Sequence, residues 1–418
     1  MVKERYKEVR VGPQKEIIPK NWEVKALSDI GKFINGKGFS SSDWEEDGLP
    51  IVRIQNLNDE EAEYNYYSED VKDRYYLKNG DILLSWSASL GAYKWKRGNA
   101  ILNQHIFKVL PKDNIDKEFM YQLLLVTIDK LEQKTHGSTM KHIRRKELDL
   151  TFFPLPPLPE QKKIASILSS VDKTIEKTDE VIEKTKELKK GLMQQLLTKG
   201  IDHSEFKEVK IGVRKFEIPM DWEFTNIDSF TAKFISGGTP STDNGEYWNG
   251  NIHFITGAYI KDLEIEEGKD LISKKGLKNS STNLIPKDNV IICTRTAVGN
   301  IGKNLIDIAI SQDVTGIILD KTEIDVDYFI WSIIRYKYLL KVYQQGSTIK
   351  GITRNVLKNF KIPLPPLEEQ KKIASILSSV DEKIKKEEEY KAKLERLKKG
   401  LMQKLLTGEI RVNTESEV

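Results

Sequence analysis

Residues 154–175 read PLPPLPEQKKIASILSSVDKTI, and residues 363–384 read PLPPLEEQKKIASILSSVDEKI. Nineteen of the 22 positions are identical at an offset of 209, half of the 418-residue chain. The match resumes at the same offset between LKKGLMQQLLT (188–198) and LKKGLMQKLLT (397–407). Pro156, Pro157 and Pro159 cannot lie inside a helix, but Pro159 beside Glu160 suits a first turn, where a missing donor costs nothing and an acid meets the positive end of the helix dipole. Apolar residues follow at 4,3,4 spacing through Ile164, Leu168, Val171 and Ile175, then Ile182, Leu188, Leu192 and Leu196. The second copy repeats the stripe at Ile373, Leu377, Val380, Ile384, Leu394, Leu397, Leu401 and Leu405, and Gly200 and Gly408 stand at the C-terminal caps. A helix of this span is about 57 Å long and cannot bury its own apolar seam. The two copies are therefore expected to pack on each other as an antiparallel coiled coil. Gly191 and Gly400, inside these helical runs, suggest a close helix crossing.

Working outward, residues 6–23 (YKEVRVGPQKEIIPKNWE) resemble residues 206–223 (FKEVKIGVRKFEIPMDWE) at an offset of 200. The segments between these anchors agree far less. Phe33-Ile34 aligns with Phe234-Ile235, Gly91 with Gly299, Gln104 with Gln312, and Gly137-Ser138-Thr139 with Gly346-Ser347-Thr348. Strand-like runs at 50–54, 81–85 and 290–293, and helical runs near 119–131 and 328–343, predict α+β domains. Trp22 and Trp222, before the first strand of each, read as core anchors. The expected architecture is α+β: two similar domains separated by two long helices, with pseudo-twofold internal duplication. Its parts are residues 1–153 (first variable domain), 154–200 (first helical spacer), 201–362 (second variable domain) and 363–418 (second spacer and tail).

The balance of 67 basic and 63 acidic side chains gives a net charge of only +4, so a polyanion must be held by a local patch. One such patch is KTHGSTMKHIRRK (134–146), with Lys134, Lys141, Arg144, Arg145 and Lys146 and no acid, whereas residues 43–73 hold eleven acids against Arg53 and Lys72. Cys293 is the only cysteine, which excludes an internal disulfide and a multi-thiolate metal site. The longest apolar-rich run, 328–340, is broken by Arg335 and Lys337, and MVKERYKEVR lacks the apolar core of a signal peptide, so a cytoplasmic location is expected.

Catalytic readings find little support. The Asn/Asp-Pro-Pro-aromatic tetrad of amino-methyltransferases and the GxGxxG loop are both missing. GKFINGKG (31–38) spells most of a phosphate-binding loop but has Gly38 where Ser or Thr would hold the metal, and reads as a turn after a strand. Glu160-Gln161-Lys162 and Glu369-Gln370-Lys371 match half of a nuclease signature but sit at helix starts, where capping and partner contact explain them better. His136 and His142, six apart with no carboxylate between, do not suit a metal.

Two variable domains alternating with two copies of the PLPPLxEQKKIAxILSxxD helix resemble the specificity subunit of type I restriction-modification enzymes, across the whole chain. The resemblance implies that each variable domain is a target recognition domain reading one half of a bipartite, non-palindromic duplex DNA site. It also implies that the helices set the spacing and dock two modification subunits, which carry the methyl-transfer chemistry. No catalytic residue, cofactor or metal is then expected in this chain; S-adenosylmethionine, ATP and magnesium belong to partner subunits, including the restriction subunit of a larger assembly.

Candidate base-reading loops, aligned between the two halves, follow predicted strands: Ser85, Trp86 and Ser87 with Asn103, Gln104 and His105, and, correspondingly, Thr294, Arg295 and Thr296 with Ser311, Gln312 and Asp313. Asn or Gln can pair adenine, Arg295 can fork onto guanine, and Asp313 can accept from cytosine. Candidate phosphate contacts are Lys134, Ser138, Thr139, Lys141, Arg144 and Arg145, and in the second domain Ser347, Thr348, Lys350 and Arg354. The duplicated helix faces offer partner-binding residues Gln161, Lys162, Lys163 and Ile167, and Gln370, Lys371, Lys372 and Ile376. The competing readings are a coiled-coil scaffold whose heads bind proteins, and a stand-alone DNA-binding protein with two unlike heads.

Overall fold

The proline runs end where the long helices begin: Leu158–Leu196 and Leu367–Leu406 in the computed structural model, which describes residues 5–11, 14–134, 145–211, 214–345 and 350–414. Both helices stop at glycine in the left-handed region, Gly200 at φ 69° and Gly408 at φ 76°, as the caps predict. The chain divides into two compact units, residues 1–179 with 390–418, and residues 180–389, so each unit contains half of each long helix.

In the first unit the two helix halves run antiparallel, as the ion pairs show: Lys398 reaches Asp172 at 2.5 Å and Lys391 reaches Asp179 at 2.6 Å, one number rising as the other falls. The second unit repeats this with Lys186 to Glu388 at 3.0 Å and Lys189 to Asp381. Ile164, Leu168, Ile182, Leu196, Ile373, Leu377, Ile384 and Leu405 are buried as the seam predicts. Leu188 and Leu397 are not; they stand 55% and 52% exposed. Thr178 and Thr185, which continue the 4,3 spacing after Ile175 and Ile182, are buried, their hydroxyls donating to the carbonyls of Thr174 (2.9 Å) and Val181 (2.6 Å). At Gly191 and Gly400 a Cβ would meet nothing within 4 Å, so neither glycine marks a close crossing.

The first head opens with a hairpin, Tyr6–Val11 with Gln14–Pro19, and Glu23–Ala26 pairs with Phe152–Leu155 just before the proline run. Gly31–Asn35, Ile106–Pro111, Ile82–Ser85 and Gly91–Lys94 form an antiparallel sheet. A second sheet runs Asn65–Tyr67, Leu49–Val52, Ala100–Leu102, Tyr76–Leu77, its central pair parallel. Ile54 opens a short helix, Ile54–Asn58, and does not extend the strand expected over 50–54. The second head repeats the plan: hairpin Phe206–Ile211 with Arg214–Pro219, Glu223–Asn226 paired to Lys361–Leu364, a sheet built on Thr231–Ser236, Val314–Leu319 and Asn289–Cys293, and another built on Trp248–Ile255 parallel to Ile308–Ile310.

Each head is seated on its helix by one further helix. Lys117–Lys134 buries Phe119, Met120, Leu123 and Leu124 in one core with Ile164, Leu168 and Leu405, while Val326–Val342 buries Phe329, Trp331 and Ile333 with Leu197, Ile373 and Leu377. Each such side chain contributes on the order of 1.5–3 kcal/mol by leaving water, which makes head and helix one cooperative body within each unit. Trp22 and Trp222 are fully buried, in line with the anchor reading.

Candidate nucleic-acid interface

The loops singled out in the second head converge at one end of its sheets. Backbone N–H groups of Thr294 and Arg295 donate to the Asp313 carbonyl at 2.8 and 3.3 Å, and Thr296 N–H donates to Lys350 O at 3.2 Å. The Ile352 N–H returns to Thr294 O at 2.8 Å, which ties the 350–354 segment to the same turn. Thr296 holds φ 60°, an uncommon angle for a β-branched residue, and Cys293 Sγ donates to Arg295 O at 2.6 Å beneath it. Burial pushes the Cys293 thiol up, which keeps it a protonated donor. Arg295, Thr296, Gln312, Lys350 and Arg354 are exposed on this frame, with Asp313 half-buried. Arg354 opens the helix Arg354–Asn359 and donates to Ser236 Oγ, at the end of Thr231–Ser236.

The first head builds the same frame. Trp86 N–H donates to His105 O at 3.2 Å, the Trp86 and His105 rings lie 5.0 Å apart, and Trp86 Nε1 donates to Asn35 Oδ1 at 3.2 Å. Asn103, Gln104 and His105 form the turn between Ala100–Leu102 and Ile106–Pro111, with Gln104 exposed and His105 at φ 74°. Strand register equates the two frames. Ser85 pairs with Ile106 as Cys293 pairs with Val314, so Ser85 corresponds to Cys293, Trp86 to Thr294 and Ser87 to Arg295. The sequence alignment of Ser85-Trp86-Ser87 with Thr294-Arg295-Thr296 is thus out by one, while Asn103-Gln104-His105 does match Ser311-Gln312-Asp313.

The structure sorts the named residues by position. Ser85, Ser87, Thr294 and Ser311 are buried, and Ser85 Oγ donates to Ser89 O at 2.6 Å, so these four shape the frame and do not face solvent. Ser138, Thr139, Lys141 and Arg144, with Ser347 and Thr348, lie outside the described residues, and of Lys134 and Arg145 only the helical backbone is described. Sequence reasoning missed a third loop in each frame, Gly36-Lys37-Gly38 and Gly237-Gly238-Thr239. Gly36 N–H donates to Ile106 O at 3.2 Å and Lys37 N–H to Leu102 O at 2.9 Å. Those amides are spent inside the protein, so GKFINGKG is a strand, Gly31–Asn35, followed by a turn, Gly36-Lys37-Gly38, and these amides offer no phosphate cradle. A Cβ on Gly36 would sit 2.0 Å from Asn103 O, and one on Gly237 2.1 Å from Ser311 O. A glycine two positions after each aligned Phe-Ile pair was the available signal. Among the described residues no group of three or more His, Cys, Asp or Glu is placed to hold a metal, and no helix is long and apolar enough to cross a membrane.

The family model for the type I restriction modification DNA specificity domain matches this chain twice, over residues 19–187 and 219–396. The chain belongs to the type I restriction-modification specificity family. Among relatives, the putative type I restriction enzyme MjaX specificity subunit of Methanocaldococcus jannaschii is 30% identical, covering 98% of both chains. The MjaVIII specificity subunit of the same organism is 30% identical over 94% of both, and the EcoBI specificity subunit of Escherichia coli is 24% identical over 95% of this chain and 88% of its own. The S subunit of M. genitalium shares the fold at a TM-score of 0.60 and 16% identity, covering 92% of this chain and 96% of that one.

In this specificity subunit the helix starts are welded to the heads. Gln161 Nε2 donates to Asn114 O and Pro156 O at 3.2 and 2.9 Å, and its Oε1 accepts from Asp116 N–H at 2.9 Å. Gln370 repeats the three bonds with Glu323 O, Pro365 O and Asp325 N–H at 3.0, 2.8 and 2.8 Å. Both amides are buried and saturated, so Gln161 and Gln370 are withdrawn from the partner face: they are staples. Glu160 and Glu369 are likewise turned inward and accept from Trp22 Nε1 and Trp222 Nε1 at 3.2 and 3.0 Å, in place of the expected capping and partner contact. Lys162, Lys163, Lys371, Lys372 and Ile376 remain exposed and Ile167 half-buried. Lys162, Lys163 and Ile167 border a groove of about 640 Å³ in the first unit, opposite Leu401, Ile410 and Val412.

Proposed function

We propose that this chain is the non-catalytic, DNA-reading subunit of a cytoplasmic type I restriction-modification complex, each head reading one half of a bipartite, non-palindromic duplex site. The observation that carries the reading is one loop frame built twice and dressed differently. Gly36 and Gly237 pack against equivalent turns, and the exposed glutamines Gln104 and Gln312 correspond. Around them Trp86 faces Thr294 in the comparison, Ser87 faces Arg295, and His105 faces Asp313. A shared frame with unlike donors and acceptors is what two readers of different sequences require. Arg295 suits a forked contact to guanine and Asp313 an N4 donor of cytosine, while Lys350 and Arg354 suit phosphate. The basic segment holding Lys134, Lys141, Arg144 and Arg145 is assigned to the first head's phosphate contacts.

Two modification subunits dock on the duplicated helix faces, through Lys162, Lys163 and Ile167 and through Lys371, Lys372 and Ile376. They supply the S-adenosylmethionine chemistry, and restriction subunits supply ATP and magnesium chemistry; this chain supplies address and spacing. Footprinting of the chain with its modification partner tests the proposal. Two protected segments with a fixed gap support it; one continuous footprint, or protection indifferent to sequence, contradicts it.

A further inference from the structure

Gln104 and Gln312 occupy the same place in the two frames, yet their side chains are held differently. In the second head Gly237 is wedged against Ser311 O, and Gly238 against Ser281, where a Cβ would come within 2.0 Å of Ser281 Oγ. Gly238 N–H donates to Ile310 O at 3.0 Å, and Pro240 is buried behind the turn. This fixed backbone delivers Thr239 to the turn between Ile308–Ile310 and Val314–Leu319, where its hydroxyl donates to Gln312 Oε1. In the first head the residue in the place of Thr239 is Gly38. The Gln104 side chain makes no hydrogen bond with a described residue, and its Oε1 lies 3.1 Å from where a Gly38 Cβ would be.

A glutamine amide has one accepting end and one donating end, and recognition depends on which faces the base. In the major groove guanine presents N7 and O6 acceptors, adenine an N7 acceptor and an N6 donor, thymine an O4 acceptor, and cytosine only its N4 donor. We propose that Thr239 is a specificity-determining residue of the second head. By holding the Gln312 carbonyl it turns the NH2 end outward, restricting that position to base edges that accept a hydrogen bond and excluding cytosine. Gly38 leaves Gln104 free to present either end, so the corresponding position of the first half-site is read more permissively. The inference rests on the base-reading role proposed above for these turns.

The test is selection from duplex libraries randomised in each half-site, with the full chain assembled with its modification subunit. Thr239→Val keeps the shape and removes the hydroxyl; it should admit cytosine at one base pair of the second half-site, cutting discrimination there roughly tenfold, within the range one good base contact supplies. Thr239→Ser should retain wild-type selection. Gly38→Thr is sterically open, since the nearest atom is the end of a flexible side chain, and should sharpen one base pair of the first half-site. Unchanged selection with Thr239→Val, alongside relaxed selection with Gln312→Ala, would overturn the lock while leaving base reading by Gln312 intact. If Gln312→Ala relaxes no base pair of the second half-site, base reading by this turn fails, and the lock with it.

Discussion

Arg411 and Glu160 lie 251 positions apart in the chain and meet through two hydrogen bonds, Nε to Oε2 at 2.9 Å and Nη2 to Oε1 at 2.5 Å. The same carboxylate accepts from Trp22 Nε1 and from Asn21 Nδ2 at 3.1 Å, so one glutamate ties the start of a long helix to the head and to the segment following the other long helix. The second unit ties Glu369 to Trp222, to Ile201 N–H at 2.8 Å and to His203 Nε2 at 3.0 Å. The duplicated clamp keeps its carboxylate and indole and changes its third side chain, Arg411 in one unit and His203 in the other.

Arg411→Ala should strip the nearly buried Glu160 of its cation and destabilise the first unit by roughly 2–4 kcal/mol, near the lower end of what breaking a buried pair costs because Arg411 is itself partly exposed. Amide hydrogen exchange is the check. Exchange should speed up across residues 158–168 and stay unchanged across 367–377, whose clamp is intact.

Gln161→Ala and Gln370→Ala each remove three hydrogen bonds at a buried site and should cost roughly 2–4 kcal/mol, leaving backbone groups unpaired. Below the lowered melting temperature, affinity for the modification subunit should be unaltered. Reversing Lys162 and Lys163 to glutamate should do the opposite, weakening the partner with little change in thermal stability. Titration calorimetry paired with melting curves separates the two outcomes.

Gly36→Ala and Gly237→Ala force a Cβ into a backbone carbonyl 2.0–2.1 Å away, a clash that no side-chain rotation relieves. Each should displace its own turn and reduce binding to its own half-site at least tenfold, as mobility shifts with single-half-site competitor duplexes would show, while the other half-site competes as before.

Replacing Lys141, Arg144 and Arg145 together with alanine should weaken binding to non-specific DNA. If all three meet phosphate, the slope of log affinity against log salt falls by roughly 2–3. An unchanged slope would remove this segment from the DNA face.

Much of the fold was legible because duplication exposes it. An offset of 209 marked both long helices, prolines marked their starts and glycines their ends. What failed was information that lies in the neighbours. Heptad spacing put Leu188 and Leu397 in the seam, but spacing cannot tell which positions the opposite helix covers. Thr178 and Thr185 are buried because each hydroxyl is satisfied by its own helix, which a count of apolar residues does not register. Gln161 looked like a surface residue until the loop carrying Asn114 and Asp116 was seen to close on it. In the candidate site the exposed turn residues Gln104, Arg295 and Gln312 were named from strand ends and side-chain chemistry. Gly36 and Gly237 were missed because what forbids a side chain there is a carbonyl far along the chain.

The most direct measurement is exchange of residues 20–153 for the corresponding head of another family member, followed by mapping the methylated and protected bases with the modification subunit present. The account predicts that the first half-site changes while the second half-site and the gap are retained. A change in both half-sites, or in neither, would contradict it.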